Sequence, residues 1–167
     1  MPVTAAQVKE LREKTGAGIM DAKKALDTTG GDMARAEKLL AEKGLASAAK
    51  KLGRETTEGI IASYIHSGSR IGAIVELNCE TDFVARTPEF LELGKNLAMQ
   101  IAAMSPAYIG RAQVPQDAAP VKDEELLLEQ AYIRDSSKKI EDLIKETIAK
   151  VGENVQVRRF SRFALGE

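Results

Sequence analysis

A single cysteine, a single histidine, no tryptophan and no long apolar run mark this sequence of 167 residues. With Cys79 alone there is no internal disulfide framework, and with His66 as its one companion the usual cysteine and histidine zinc sets cannot be assembled. Neither a metal nor a cofactor is expected. Sparse cysteine and the opening Met1-Pro2-Val3-Thr4, which lacks a basic stretch followed by an apolar one, fit a reducing, cytoplasmic address. No stretch approaches ~18 consecutive apolar residues, so no membrane span is expected. Aromatics at 4% offer little to the stacking platforms on which single-stranded nucleic acids are held. A dominant charge is missing too: 24 Lys and Arg against 25 Asp and Glu leave a net charge of −1 and no global field for a polyanion or a membrane. No direct nucleic-acid partner is expected. What remains, 44% hydrophobic and 29% charged, is the composition of a globular chain able to bury a core.

Residues 1–55 read as three short helices, each with its own start signal. Thr4 and Gln7 make a capping box, in which the hydroxyl and the amide each satisfy an orphan backbone N–H. Val8 and Leu11 share a side of the first helix, which breaks at Thr15-Gly16-Ala17-Gly18. The second carries Ile19, Ala22, Ala25 and Leu26 and stops at Gly30-Gly31. Asp32 caps the third, which presents Met33, Ala36, Leu39 and Leu40 and is expected to end near Gly44, with a restart through Leu45 to Lys51. Over 56–167 the period changes from helical to strand-like. A hairpin is expected over 59–79, with Ile71, Ala73, Val75, Leu77 and Cys79 on one buried face. Thr87-Pro88 opens a helix over 88–104 whose stripe is Phe90, Leu93, Leu97, Ile101 and Met104. A variable connection over 106–132 is read with a short edge strand at Ala107 to Ile109 and a weak acidic helix from Asp123 to Tyr132. A helix over 137–151 closes at Gly152, and a strand over 155–165 follows, its broken alternation calling for a bulge near Arg158-Arg159. The fold class is α+β, a three-helix module followed by a small antiparallel sheet packed with helices.

Catalytic chemistry finds little purchase in this sequence. Gly16-Ala17-Gly18-Ile19-Met20-Asp21 starts like a dinucleotide fingerprint but follows a helix and lacks the last glycine. Gly94-Lys95 sits inside a helix and is followed by Asn96, so it is no phosphate loop. His66 and Ser67 are adjacent strand residues pointing to opposite faces, a poor nucleophile pair. The chain reads as a non-enzyme. A small helical module binding RNA or a ubiquitin-like peptide is the competing class, favoured by the basic cluster Lys50, Lys51 and Arg54. One segment stands out, Asn78-Cys79-Glu80-Thr81-Asp82-Phe83-Val84-Ala85-Arg86, where an acid and a large aromatic sit together between a strand and a helix. Two readings stay open: Thr81 or Asp82 caps a turn while Phe83 folds under the sheet, or Phe83 projects as a wedge for a partner's pocket.

The sequence resembles the elongation factor Ts family, guanine nucleotide exchange factors for elongation factor Tu, and in particular its short members. The resemblance rests on Val8-Lys9-Glu10-Leu11-Arg12, on Thr15-Gly16-Ala17-Gly18-Ile19-Met20-Asp21 with Ala22-Lys23-Lys24-Ala25-Leu26, and on Glu76-Leu77-Asn78-Cys79 running into Thr81-Asp82-Phe83-Val84-Ala85. Ile133-Arg134-Asp135 and Val151-Gly152-Glu153-Asn154 complete it. It implies a module of the ubiquitin-associated type ahead of an α+β core, and a protein partner, elongation factor Tu. It assigns magnesium dislocation and partner binding to Thr81, Asp82, Phe83 and Val84, with Phe83 as the inserted aromatic and Asp82 assisting. Arg12, Ile19 and Met20 would carry the amino-terminal contact, with Ile19 where many relatives have methionine. The chain is short for the family, lacks room in 113–132 for a second core subdomain, and on this resemblance forms a homodimer to complete a two-part core.

Overall fold

A computed structural model describes residues 3–167. Three helices come first: α1 (Ala5–Thr15), α2 (Ile19–Thr28) and α3 (Met33–Ala49). The Thr4–Gln7 capping box forms, and Gly16 closes α1 in the left-handed region at φ 70, where a Cβ would be strained. Asp32 accepts the Arg35 N–H at 3.0 Å to start α3. Leu11, Ala22, Ala25, Leu26, Ala36 and Leu40 form the core of this part. Helix α3 does not end at Gly44. It runs unbroken to Ala49, and Ala48 is buried in a second, larger cluster. Gly44 is instead a point of close contact with a later helix: an ideal Cβ at Gly44 would stand 3.1 Å from that of Ala149.

The second cluster is built on a three-stranded antiparallel sheet of order β1-β2-β5, from β1 (Glu58–Ile65), β2 (Ile71–Cys79) and β5 (Val155–Ala164). Ala73, Val75, Leu77 and Cys79 are buried on its inner face against α5 (Pro88–Met104) and α6 (Ile140–Val151). The register shifts between Glu76, opposite Arg159, and Leu77, opposite Val157. Arg158 is thus the extra residue of a bulge, which restores Val155, Val157 and Phe160 to the same side. Thr87 caps α5 with Pro88 in its first turn, and Phe90, Leu93, Leu97 and Ile101 are buried as the stripe requires. Met104, at the end of that stripe, is instead exposed.

Three expectations in the carboxy-terminal half need correction. No α-helix spans 123–132. The chain makes two single 3-10 turns, Asp123–Glu125 and Leu127–Glu129, and then β3 (Ala131–Tyr132). The backbone groups a helix would use go elsewhere: Glu125 O accepts from the N–H groups of Ala107 and Tyr108, and the Leu127 and Leu128 N–H groups donate to Tyr108 and Ile109. The expected edge strand at 107–109 is reduced to this bridge, Tyr108 beside Leu126. The last helix starts at Ile140 rather than 137, because Asp135–Lys139 form β4, paired with β3. Ser137 is held by the Asp135 carboxylate, and the cap comes from Asp142, whose Oδ2 accepts the Lys139 N–H at 3.0 Å.

Candidate functional site

The residues between β2 and α5 form one helical turn, α4 (Asp82–Ala85), raised on the end of the central strand. Thr81 is its cap, in extended conformation, with its hydroxyl oxygen accepting the Val84 N–H at 3.5 Å. Such a short helix cannot persist alone, so its orientation is set by what anchors it. Val84 and Ala85 are the inward anchors. Val84 is 7% exposed and belongs to the main core, so this residue, grouped with the contact residues on sequence grounds, holds the turn down and presents little surface. Phe83 points the opposite way and is 78% exposed. Asp82, beside it, pairs with Arg86 at 2.7 Å, one turn on.

Beneath the turn lies a set of hydrogen bonds that the sequence pattern did not reveal. The Glu153 carboxylate, in the loop after α6, accepts from the N–H groups of Glu80 and Thr81 at 3.1 and 3.0 Å and from the Thr81 hydroxyl at 2.6 Å. In return the Glu80 carboxylate accepts the Asn154 N–H at 2.7 Å. Asn154, fully buried, donates from Nδ2 to the Arg54 carbonyl at 2.8 Å, and the Arg54 guanidinium stands 3.7 Å from Glu80. The run Val151-Gly152-Glu153-Asn154 was visible as a motif, but nothing in its composition indicated a loop more than 70 residues away as its target. Cys79 lies in the core, on the apolar face of its strand. Its thiol donates to the Thr81 carbonyl at 3.1 Å, and burial, helped by the negative charge of Glu153, pushes its pKa up to about 11.

Arg12 is exposed on α1, and Ile19 and Met20 open α2 with 60% and 77% of their surfaces in solvent. Two apolar side chains at a helix start, after the glycine turn Gly16 to Gly18, are a second unburied feature, on a different part of the chain from Phe83. A groove of about 760 Å³ lies between the α1–α2 turn, α3 and α6, and among the charges that line it Lys14 pairs with Glu37 and Lys138 with Glu146. Among the described residues no group of three His, Cys, Asp or Glu stands close enough to share a metal ion. His66 and Ser67 are both exposed, and His66 Nδ1 lies 3.0 Å from the Tyr64 hydroxyl. No helix among the described residues is long and apolar enough to cross a membrane.

The surface thus carries two exposed apolar features, an aromatic on an anchored turn and an apolar pair at a helix start. The family model described as elongation factor TS matches residues 8–134, which take in both features. The chain belongs to the elongation factor Ts family. The elongation factor Ts of Anaeromyxobacter sp. (strain K) is 49% identical, with 99% of this chain and 89% of the relative aligned. That of Thermotoga petrophila is 48% identical over 100% of this chain and 98% of its own length. The chloroplastic elongation factor Ts of Guillardia theta is 51% identical over 99% and 90%. These alignments extend over 195 or 196 positions against 167 residues here, so these three relatives hold segments that this chain does not. Membership of the elongation factor Ts family places the chain in translation elongation.

Proposed function

We propose that the chain is a guanine nucleotide exchange factor that binds elongation factor Tu carrying GDP and promotes release of the nucleotide. One observation carries this reading: Phe83 keeps 78% of its surface in solvent on a turn whose other residues are tied down. A large apolar ring held outward at low rotamer cost is a typical anchor for a partner's pocket. Asp82 assists from the adjacent position, and Arg12, Ile19 and Met20 supply the amino-terminal contact through the module of residues 1–55, which docks while residues 56–167 act.

The mechanism needs no covalent chemistry. Nucleotide in a GTPase is held largely by electrostatics, with Mg²⁺ bridging phosphate oxygens in an octahedral geometry that tolerates little displacement. A ring pushed between helices that support the metal's ligands loosens the ion, and the phosphates lose their countercharge. Linkage makes the effect reciprocal: a factor that weakens nucleotide binding is itself displaced by incoming nucleotide, by the same coupling factor. No bond is made or broken, so the chain is not an enzyme.

The reading extends to assembly. The outer face of the sheet leaves Ile61, Ile65, Ile74, Phe163 and Leu165 exposed, and a depression of about 280 Å³ opens between Ile65, Ile74 and Phe163. An apolar patch on a sheet face is a surface for a covering layer, and a second copy of the chain offers one, which supports a homodimer. The direct test of exchange uses the chain in less than molar proportion to elongation factor Tu loaded with fluorescent GDP, chased with excess unlabelled GDP. Release many-fold faster than the spontaneous rate, with turnover of the factor, is expected. Release at the spontaneous rate would falsify the exchange reading.

A further inference from the structure

No strand continues past Cys79, so the N–H groups of Glu80 and Thr81 have no ladder partner and depend on the Glu153 carboxylate. The same carboxylate takes the Thr81 hydroxyl proton donor, and Thr81 is the cap from which the Phe83 turn begins. Gly152, in the left-handed region at φ 81, makes the reversal that brings Glu153 out of α6 and onto this loop. The reciprocal bond from Asn154 to Glu80 and the Asn154 bond to Arg54 bind the same loop to the end of the helical module.

We infer that Glu153 is a positioning residue for exchange: acting through Thr81, it fixes the angle at which Phe83 leaves the scaffold. The inference rests on the reading of Phe83 as the inserted ring. A carboxylate accepting three hydrogen bonds at one turn holds both the cap and the residue ahead of it, whereas Val84 and Ala85 hold the turn from the other side. Removing the carboxylate leaves two N–H groups without partners and frees the turn to pivot on its apolar anchors. Arg12, Ile19 and Met20 stand on α1 and α2 and make none of these bonds, so affinity and rate should separate.

The experiment compares full-length Glu153→Ala, Glu153→Gln, Thr81→Val and Phe83→Ala chains. Amide hydrogen exchange at Glu80 and Thr81 is read by NMR on the chain alone, and the saturating rate and half-saturating concentration for GDP release from elongation factor Tu are read by stopped flow. Glu153→Ala should speed exchange at both amides at least about tenfold and lower the saturating rate about tenfold, with half-saturation moved less than about twofold. Glu153→Gln, whose amide oxygen still accepts from the backbone, should recover most of the rate. Should the alanine variant fail to fold, Thr81→Val, which removes the shortest of the three bonds together with the long cap bond from the Val84 N–H, should still lower the saturating rate. A wild-type saturating rate in a folded Glu153→Ala or Thr81→Val chain, with Phe83→Ala impaired, overturns the positioning role alone. An equal loss in rate and affinity that glutamine does not recover also overturns it, as a general structural effect. Undiminished exchange by Phe83→Ala overturns the wedge reading itself, and this inference with it.

Discussion

Phe83 and Cys79 are four residues apart, and the structure treats them in opposite ways. The thiol lies on the inner face of β2 with no exposed surface, while the ring stands on the turn that follows. Low dielectric disfavours the thiolate, and the Glu153 carboxylate adds repulsion. Because the folded pKa is raised from 9.0 to about 11, the folded chain keeps its proton between those values while the unfolded chain loses it. The contribution to stability is complete below pH 9 and is lost as pH rises toward 11. Native Cys79 should react with iodoacetamide at pH 9 about fiftyfold more slowly than the urea-unfolded chain, on thiolate fraction alone. Equal rates would contradict the buried thiol. The core role of Cys79 was legible, since alternation put it on the apolar face of its strand. The exposure of Phe83 was not, because an aromatic after a strand is as consistent with folding under the sheet as with standing out of it. Only the burial of Val84 and Ala85 on the opposite side of the turn decides between them.

Elements whose ends are written in side chains were legible. Thr4, Asp32 and Thr87 each cap the helix expected of them, and the phase change along β5 located the bulge at Arg158. Elements defined by long-range partners were not. The 123–132 segment has its backbone bonded to 107–109, and Gln100, buried in α5, holds the hairpin that follows by accepting the Ile133 N–H at 3.0 Å and donating to the Ala131 carbonyl at 3.1 Å. No local pattern carries such pairings. Helix α5 shows the same point at its contact with β1. A Cβ at Gly94 would come 2.9 Å from Ile60 Cδ1 and 3.0 Å from Ala62 Cβ, so the glycine sets how closely helix and sheet approach. Gly94→Ala gains helix propensity but must push the strand away, and a net loss of about 1–3 kcal/mol is expected. Urea unfolding should show a lowered midpoint; an unchanged or raised one would mean the contact relaxes at no cost.

Across the whole molecule, α3 carries Ala36 and Leu40 into the core of the helical module and Ala48 into the core of the sheet. One continuous helix therefore joins the surface bearing Ile19 and Met20 to the body bearing Phe83, a connection hidden in the sequence by Gly44, which reads as a stop and serves as a close contact with α6. The proposed homodimer belongs to this scale as well. Phe163, 73% exposed on the outer sheet face, adds little to the monomer's own stability, so Phe163→Glu should leave the fold intact while shifting sedimentation from dimer to monomer. A wild-type chain that sediments as a monomer at tens of micromolar would remove that part of the account. The central claim concerns a single ring. In stopped-flow release of fluorescent GDP from elongation factor Tu at saturating factor, Phe83→Ala should cut the stimulated rate at least about tenfold, the scale of a lost aromatic anchor, with circular dichroism and melting unchanged. A folded Phe83→Ala chain that stimulates release as fast as the wild type would contradict it.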